Sequence, residues 1–291
     1  MFEGIHTALI TPFRNGQVDE DALRAHVERQ IEAGVDGVVP CGSTGESATL
    51  SHLEHRRVVE IVVDAAKGRV PVIAGTGSNA TREAIELTLH AKQAGADGSL
   101  LLSPYYNKPT QEGIYAHYAA IAEATRFPIV IYNIPGRTAS NIAPETLARL
   151  ARLEHIVGVK EASGNLDQMS HVIAKCPQDF AVLSGDDSLT LPLLAIGGKG
   201  VISTTSNVAP RQICELVRRF QKGDTAGAQA IHYSLLPLFD VLFCETNPIP
   251  VKAAASELGW CSPEIRLPLT HITDATLERL KVVLKDLDSL R

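Results

Sequence analysis

One lysine interrupts a run of apolar residues near the middle of the chain. Lys160 ends the string IVGVK at 156–160, where every other residue is apolar or glycine. An ammonium in such a place is poorly solvated, so burial lowers its pKa and leaves some neutral amine at pH 7. A neutral amine can attack a ketone and form an imine, which then acts as an electron sink. The alternative interpretation is a lysine whose stem packs on the fold while its head reaches water.

Hydroxyl groups near the ends of other apolar runs supply further parts of a Schiff-base site. Tyr132 and Tyr106 can pass protons if a third hydroxyl bridges them, and Ser43 is the candidate for that bridge. Thr44 and the backbone amides of the glycine-flanked loop at 42–45 can bind a substrate carboxylate. The loop is not a phosphate-binding P-loop, because the Gly-Lys-Ser/Thr ending is absent. For either tyrosine alone, the alternative is core packing with a satisfied hydroxyl.

Eight short apolar runs alternate with amphipathic stretches and predict the elements that position these groups. The runs begin near Ile5, Gly37, Val70, Gly98, Pro128, Ile156, Phe180 and Gly200. They are nearly continuous in apolar character, which is typical of parallel strands covered on both faces. Eight strands with seven helical connections predict a closed (β/α)8 TIM barrel, in which catalytic groups follow the C-terminal ends of strands. A doubly wound open sheet is the competing fold, but the first strand lacks a GxGxxG turn.

A repeated turn and a helical C-terminus complete the predicted architecture. The strings EAGVDG at 32–37 and QAGADG at 93–98 each end a helix and lead into a strand, with the first glycine suited to the left-handed position after a helix. After the eighth strand the pattern is helical at 209–222, 225–244, 250–258 and 274–290. We therefore predict a catalytic barrel over 1–224 and a helical segment over 225–291 that packs on it.

Composition restricts the partners. The 291 residues carry a net charge of −6 and no long basic run, which argues against a nucleic-acid or membrane surface. Five cysteines without CxxC spacing, and an N-terminus without a signal-peptide pattern, lead us to expect a cytoplasmic protein. His52 and His55 lie on one predicted helix, but the HExxH motif is absent. We expect no metal site and no cofactor.

Five strings of residues resemble the dihydrodipicolinate synthase family, in the pyruvate-dependent class I aldolase or N-acetylneuraminate lyase superfamily. They are GSTGES at 42–47, IAGTGSNAT at 73–81, SPYYNKP at 103–109, YNIPGRT at 132–138 and GVKEASGN at 158–165. The resemblance covers essentially the whole chain. It implies a homotetrameric barrel that condenses pyruvate with L-aspartate 4-semialdehyde to 4-hydroxy-tetrahydrodipicolinate, on the diaminopimelate route to lysine.

The resemblance also implies roles for individual residues. Four would be catalytic: Lys160 carries the pyruvate imine, Tyr132 donates and accepts protons, and Ser43 and Tyr106 complete the relay, with Tyr106 reaching the neighbouring subunit's site. Four more would surround the substrates: Thr44 and the Ile202 backbone in the pyruvate pocket, Gly185 near the reacting centre, and Arg137 on the semialdehyde carboxylate. Ser43 replaces the threonine that is commoner in the family, which keeps the hydroxyl but constrains its rotamer less.

Members of the family that are inhibited by lysine bind it at a subunit interface, and this chain carries the matching residues. They are Ser47, Ala48, His52, His55, Asn79, Glu83 and Tyr105. We therefore expect feedback inhibition by L-lysine. The alternative is that these residues bind no ligand and simply belong to two ordinary solvated helix faces.

Two other functions remain open at this stage. A sugar-acid enzyme of the same superfamily, such as N-acetylneuraminate lyase or a 2-keto-3-deoxy sugar-acid aldolase, would share Lys160 and Tyr132 but face a polyol, and Arg137 is the residue that discriminates. A non-catalytic barrel that binds a small acid would not need a desolvated amine.

Overall fold

The computed structural model describes residues 2–288 and contains one sheet of eight parallel strands. The strands are β1 Gly4–Ala8, β2 Gly37–Val39, β3 Ile73–Gly75, β4 Gly98–Leu102, β5 Ile129–Asn133, β6 Ile156–Glu161, β7 Ala181–Ser184 and β8 Gly200–Ser203. Hydrogen bonds join them in the order β2-β1-β8-β7-β6-β5-β4-β3. A parallel bridge between Val38 and Val72 joins the two outer strands, so the sheet closes. The predicted barrel is confirmed, and the open sheet is excluded.

Helices connect the strands and continue after the barrel. They are α1 Glu20–Ala33, α2 His52–Ala66, α3 Thr81–Ala94, α4 Gln111–Thr125, α5 Pro135–Thr138, α6 Pro144–Leu150, α7 Leu166–Lys175, α8 Thr190–Ala195, α9 Pro210–Gln221, α10 Thr225–Phe243, α11 Ile249–Glu257 and α12 Asp274–Asp288. A short hairpin, Phe13–Arg14 with Gln17–Val18, lies between β1 and α1. None of the helices within residues 2–288 is long and apolar enough to cross a membrane.

The third strand begins three residues later than the sequence predicts. The apolar run starts at Val70, but β3 starts at Ile73. Pro71 lies between them and has no N–H to donate to a neighbouring strand. Its carbonyl still accepts a hydrogen bond from the Val38 amide at 3.0 Å. The approach to β3 therefore contributes to barrel closure without being a regular strand.

The repeated turn has the expected backbone and an additional function. Gly34 and Gly95 follow α1 and α3 with φ of 88° and 92°, the left-handed conformation that glycine adopts without a Cβ penalty. The aspartate of each repeat accepts a hydrogen bond from a backbone amide in the preceding strand or just before that strand begins. Asp36 binds the Ile5 amide at 2.9 Å, and Asp97 binds the Val72 amide at 2.8 Å. Each copy thus ends a helix and ties two adjacent strands together.

Apolar side chains from most of the strands meet in one cluster. Its members include Ala8, Val39, Ile73, Leu100, Val130, Tyr132, Leu183 and Ile202. Side chains from seven different strands can meet only inside the barrel, which is filled rather than open. Tyr132 belongs to this interior layer, and Lys160 lies beside it in the register of β5 and β6.

The C-terminal helices pack on the outside of the barrel. Apolar residues of α10, α11 and α12 join the same buried cluster as residues of α1 and α2, among them Leu235, Val251, Leu280, Val27 and Val59. This packing agrees with the expectation of a segment held against the barrel. The division at residue 224 stays a prediction, and residues 289–291 of the predicted segment lie outside the described range.

Candidate active site

Lys160 lies on β6 and is only 5% exposed. Burial lowers its pKa to about 8, and Arg137 acts in the same direction, whereas the nearby Asp187 and Asp186 carboxylates oppose the shift. With a pKa near 8, roughly a tenth of the amine is neutral at pH 7. Lys160 makes no ion pair with any carboxylate in the described part of the chain. The structure therefore agrees with a desolvated amine and not with a lysine whose head reaches water.

Tyr132 is the aromatic neighbour of this amine. The two residues are register partners on β5 and β6, and Lys160 Nζ lies 4.3 Å from the centre of the Tyr132 ring. Burial raises the pKa of the Tyr132 phenol well above its usual range, with Asp186 adding to the shift and Arg137 opposing it. The phenol is protonated at neutral pH and can donate a proton close to a group formed on Lys160.

Gly185 provides the space that the lysine occupies. A Cβ at this position would lie 2.5 Å from Ala162 Cβ and 3.2 Å from Lys160 Cε. Carbon atoms cannot approach that closely without a shift of the strands or of the lysine. Gly185 also donates its amide to Glu161 at 2.8 Å, which joins the end of β7 to β6. The glycine is thus required by the packing around the amine.

The acidic pair after β7 has two different environments. Asp187 is 2% exposed and accepts hydrogen bonds from the Thr204 amide at 3.1 Å and from the Thr205 amide and hydroxyl, both at 2.9 Å. It therefore holds the residues after β8 against β7. Burial raises the pKa of Asp186 to about 6, and the attraction of Lys160 opposes that shift. Asp187 is thus a buried hydrogen-bond acceptor, whereas Asp186 lies close to the amine.

Thr44 is buried and belongs to a chain of polar contacts. Its Oγ1 lies 3.2 Å from Thr204 Oγ1 and accepts a hydrogen bond from Asn247 Nδ2 at 3.0 Å. The backbone oxygen of Asn247 in turn accepts a hydrogen bond from Arg137 Nη2 at 3.0 Å. Thr44 and Arg137, the two residues expected to bind carboxylates, are therefore connected through one asparagine. Ile202 is completely buried in the interior layer with Tyr132.

A cavity of about 510 Å³ connects several of the predicted residues. One group consists of Ser43, Tyr132, Arg137 and Asn247, and a second consists of Ser47, Ala48, His52, His55, Glu83 and Tyr105. Six of the seven residues expected to bind lysine thus share a cavity with three of the residues expected to act on the substrates. Asn79 does not line it but donates from Nδ2 to the Tyr105 carbonyl at 3.2 Å.

The second group is polar and partly connected. His52 Nε2 lies 3.3 Å from Glu83 Oε1, and Ser78 donates to the other Glu83 oxygen. His55 donates from Nε2 to the Gly75 carbonyl at 2.8 Å, which makes Nδ1 the acceptor nitrogen. That Nδ1 is buried without a partner among the described residues. The group contributes the partly exposed Glu83 carboxylate to the cavity wall, and a carboxylate is suited to an ammonium ligand.

Tyr106 is separate from the other predicted catalytic residues in the single chain. The residue is 89% exposed and does not line the cavity, whereas Ser43 and Tyr132 do. Its φ of 72° lies in the left-handed region, which is uncommon for an aromatic residue. The structure therefore does not form the expected Tyr132–Ser43–Tyr106 relay within one chain.

A buried ion pair below the loop at 42–47 was not anticipated from the sequence. Lys252 on α11 is 1% exposed and donates to Glu46 of the loop. The Glu46 carboxylate also accepts from the Arg266 amide at 3.2 Å, and the Lys252 nitrogen lies 4.0 Å from the Phe13 ring centre. The pair fixes the loop that carries Ser43 to the C-terminal helices.

Sequence reasoning missed Asn247 and Lys252. A signal existed for Lys252, because the string IPVKAAA at 249–255 surrounds it with apolar residues just as IVGVK surrounds Lys160. No comparable signal indicated Asn247, since an asparagine before a proline predicts only an ordinary turn. Its contacts are to residues far away in the sequence.

The chain has close relatives over nearly its full length. Residues 1–287 match the model of the Dihydrodipicolinate synthetase family. A protein of Syntrophus aciditrophicus (strain SB), named 4-hydroxy-tetrahydrodipicolinate synthase, is 59% identical over 286 residues, which cover 98% of each chain.

Solved structures agree with this match. A chloride-inhibited dihydrodipicolinate synthase from Acinetobacter baumannii, complexed with pyruvate, has a TM-score of 0.97 at 44% identity and covers 99% of both chains. The enzyme from Cyanidioschyzon merolae with lysine bound has a TM-score of 0.96 at 43% identity and covers 99% of this chain and 98% of its own. The chain therefore belongs to the dihydrodipicolinate synthetase family.

Proposed function

We propose that the protein is a 4-hydroxy-tetrahydrodipicolinate synthase, a lyase that condenses pyruvate with L-aspartate 4-semialdehyde through an imine on Lys160. The observation that carries this proposal is a buried amine that has no ion-pair partner among residues 2–288, lies over a protonated phenol and occupies the space that Gly185 leaves open. The name of the 59% identical relative supports the synthase over the sugar-acid aldolases. A non-catalytic barrel would have no use for a desolvated amine.

The first chemical step forms the imine. The neutral nitrogen of Lys160 adds to the keto carbon of pyruvate, the keto oxygen takes up protons, and it leaves as water while the C=N bond forms. Loss of a proton from the methyl group then gives an enamine. The enamine carbon attacks the aldehyde carbon of the second substrate, and the aldehyde oxygen receives a proton. Tyr132 is the proton donor and acceptor in these steps, because it is the phenol beside Lys160.

Two residues bind the carboxylates of the two substrates. Thr44 and the backbone of Ile202 bind pyruvate, and Gly185 leaves the space that Lys160 occupies near the reacting centre. Arg137 binds the carboxylate of the semialdehyde, since its guanidinium is exposed beside the cavity that Tyr132 lines. The likeness to an enzyme complexed with pyruvate supports the first assignment.

The active protein is a homotetramer in which Tyr106 completes the relay of a neighbouring subunit together with that subunit's Ser43 and Tyr132. Support comes from the ring of Tyr106, which projects from the single chain in a strained backbone conformation. The protein works in the cytoplasm and needs no cofactor, as its composition and chemistry lead us to expect.

L-Lysine inhibits the enzyme by binding to Ser47, Ala48, His52, His55, Asn79, Glu83 and Tyr105. The partly exposed Glu83 carboxylate is a suitable partner for an ammonium group. All of these residues except Asn79 share a cavity with Tyr132 and Arg137, which offers a short route from the inhibitor to the catalytic residues. The likeness to a relative with lysine bound supports the assignment.

A coupled assay with pyruvate and L-aspartate 4-semialdehyde tests the proposal, together with reduction by borohydride to trap the imine. Lys160→Ala should lose both turnover and trapping, by about a thousandfold or more. Arg137→Ala should lose turnover but retain trapping. Trapping at another residue, or release of pyruvate from a sugar acid by the wild-type protein, would contradict the proposal. Inhibition of the wild-type assay by L-lysine, and its loss in Glu83→Ala, tests the regulatory site.

A further inference from the structure

One strand of the barrel contains an additional residue relative to its neighbour. Ile129 of β5 pairs with Ile156 of β6, but the next residue of β5, Val130, pairs with Gly158. Val157 is therefore an extra residue on β6, which is the geometry of a β-bulge. Bulges of this kind redirect the side chains that follow them, because each extra residue shifts the pairing by one position.

The bulge changes the face on which the catalytic amine lies. Along a regular strand the side chains alternate, so residues three positions apart lie on opposite faces. Ile156 and Val159 nevertheless pack in the same apolar cluster on the helix-covered outer face of the sheet. Lys160 then faces the barrel interior beside Tyr132, its register partner. Without the bulge, Lys160 would lie opposite Asn133 and project from the outer face.

The last register pair of the two strands consists of a buried amide and a buried carboxyl group. Asn133 and Glu161 are register partners, and both are 0% exposed. Asn133 Nδ2 donates to Glu161 Oε2 at 3.0 Å and to Oε1 at 3.2 Å. Oε1 also accepts from the Ser163 amide at 2.8 Å, and Oε2 accepts from Gln168 Nε2 of α7 at 3.4 Å. Burial raises the pKa of Glu161, and these donors oppose the shift.

The orientation of the Asn133 amide is fixed by its other partners. Its Oδ1 accepts from the Ile142 amide at 3.0 Å, so its nitrogen end is directed to Glu161. Nδ2 also donates to Asn141 Oδ1 at 2.9 Å. Ile142 and Asn141 follow α5, the short helix that carries Arg137. One amide thus connects β5 to β6 and to the segment that follows α5.

We propose that Asn133 and Glu161 are positioning residues that select the bulged register and so hold Lys160 beside Tyr132, an inference that rests on the proposed function. A one-residue slip of β6 would break the hydrogen bonds of the pair and leave buried polar groups without partners, which is costly. Apolar contacts are non-directional and discriminate little between the two registers. A buried polar pair is therefore the part of these strands that specifies the register.

Single substitutions in the pair test the proposal by borohydride trapping with pyruvate and by the coupled assay. Glu161→Gln directs at least one N–H group against another, and Asn133→Asp places two carboxyl groups together. Each should lower the initial trapping rate and kcat by about tenfold or more, because a displacement of about 1 Å can cost a hundredfold in rate. In Glu161→Gln the midpoint of the pH dependence of trapping should stay in place, since the carboxylates that act on the amine are Asp187 and Asp186.

A double variant and a matched control separate positioning from general stability. Asn133→Asp combined with Glu161→Gln exchanges donor and acceptor, so the pair can form again and both rates should return to within about threefold of the wild type. Val159→Ala truncates a completely buried side chain on the outer face of β6 without touching the pair. It should lower the thermal stability but change both rates by less than about twofold.

Three results would overturn the inference. They are wild-type rates in the single variants, a double variant no faster than the single ones, and a Val159→Ala variant that slows trapping as much as Glu161→Gln does at an equal loss of thermal stability. If the single variants do not fold, the double variant carries the test, and its failure to fold or to trap counts against the pair. Failure of the proposed function is a distinct result, since the wild-type protein would then trap no imine.

Discussion

The chain buries two lysines almost equally, and they have different surroundings. Lys160 lies inside the barrel mouth at 5% exposure and contacts the face of Tyr132. Lys252 lies outside the barrel under the loop at 42–47, at 1% exposure, and donates directly to Glu46. Burial lowers the pKa of both amines, but within residues 2–288 only Lys252 has a carboxylate in direct contact that opposes the shift.

The difference teaches that burial alone does not make a lysine a nucleophile. A directly paired ammonium has its protons committed and serves to hold two segments together. When a buried amine has no carboxylate in contact, desolvation favours its neutral form. The lone pair of that neutral form is available to attack a ketone. The Asp187 and Asp186 carboxylates oppose the effect of burial. The pKa of Lys160 therefore stays near 8, close to neutral pH.

The largest expected effect is a difference in the free energy of unfolding between variants of the two lysines. Lys252→Met leaves the Glu46 carboxylate buried without its cation, which should lower the free energy of unfolding by about 3–5 kcal/mol. Lys160→Met leaves no partner unpaired, so its stability should change by less than about 1.5 kcal/mol, although the imine can no longer form. Denaturant unfolding of the two variants measures the difference.

A double variant provides the control. Combining Lys252→Met with Glu46→Gln removes the isolated charge and should restore a large part of the lost stability. The comparison breaks if the two single variants are equally destabilised, or if Lys252→Met abolishes imine trapping in protein that is still folded.

The pH dependence of imine formation is the next largest effect. The pKa of Lys160 is lowered to about 8, and the reactive form is the neutral one, so the initial rate of borohydride trapping with pyruvate should rise with pH and level off above 8. Between pH 6 and pH 8 the neutral fraction rises roughly fiftyfold. Lys252→Met should leave the midpoint where it is. A midpoint near 10.4, that of a solvated lysine, would refute the comparison.

The smallest expected effect tests the space around Lys160. Gly185→Ala places a methyl group 2.5 Å from Ala162 Cβ and 3.2 Å from Lys160 Cε, which should cost about 1–3 kcal/mol of stability and slow turnover. Gly136→Ala adds the same methyl group where, among the described residues, no atom outside its own helix backbone and chain neighbours lies within 4 Å, so its stability should not fall. Thermal unfolding and the coupled assay are the measurements. Equal stability of the two variants would show that the packing around the amine is loose.

Much of the fold could be predicted because its signals are local. Continuous apolar runs, helix caps and the repeated Gly34 and Gly95 turns place strands and helices within a few residues. Lys160 could be singled out for the same reason, since a cation inside an apolar strand is visible in five residues of sequence. The start of β3 was misplaced because Pro71 interrupts hydrogen bonding in an apolar run.

The sequence by itself determined the barrel, the family and the presence of a lysine in an apolar strand. Only the tertiary structure decided which buried lysine is paired with a carboxylate, because Glu46 contacts Lys252 across 206 residues of chain. It also brought Asn247 to Thr44 across 203 residues. Protonation and hydrogen bonding depend on the atoms within a few ångströms of a group, and most of those atoms belong to residues that are distant in the sequence.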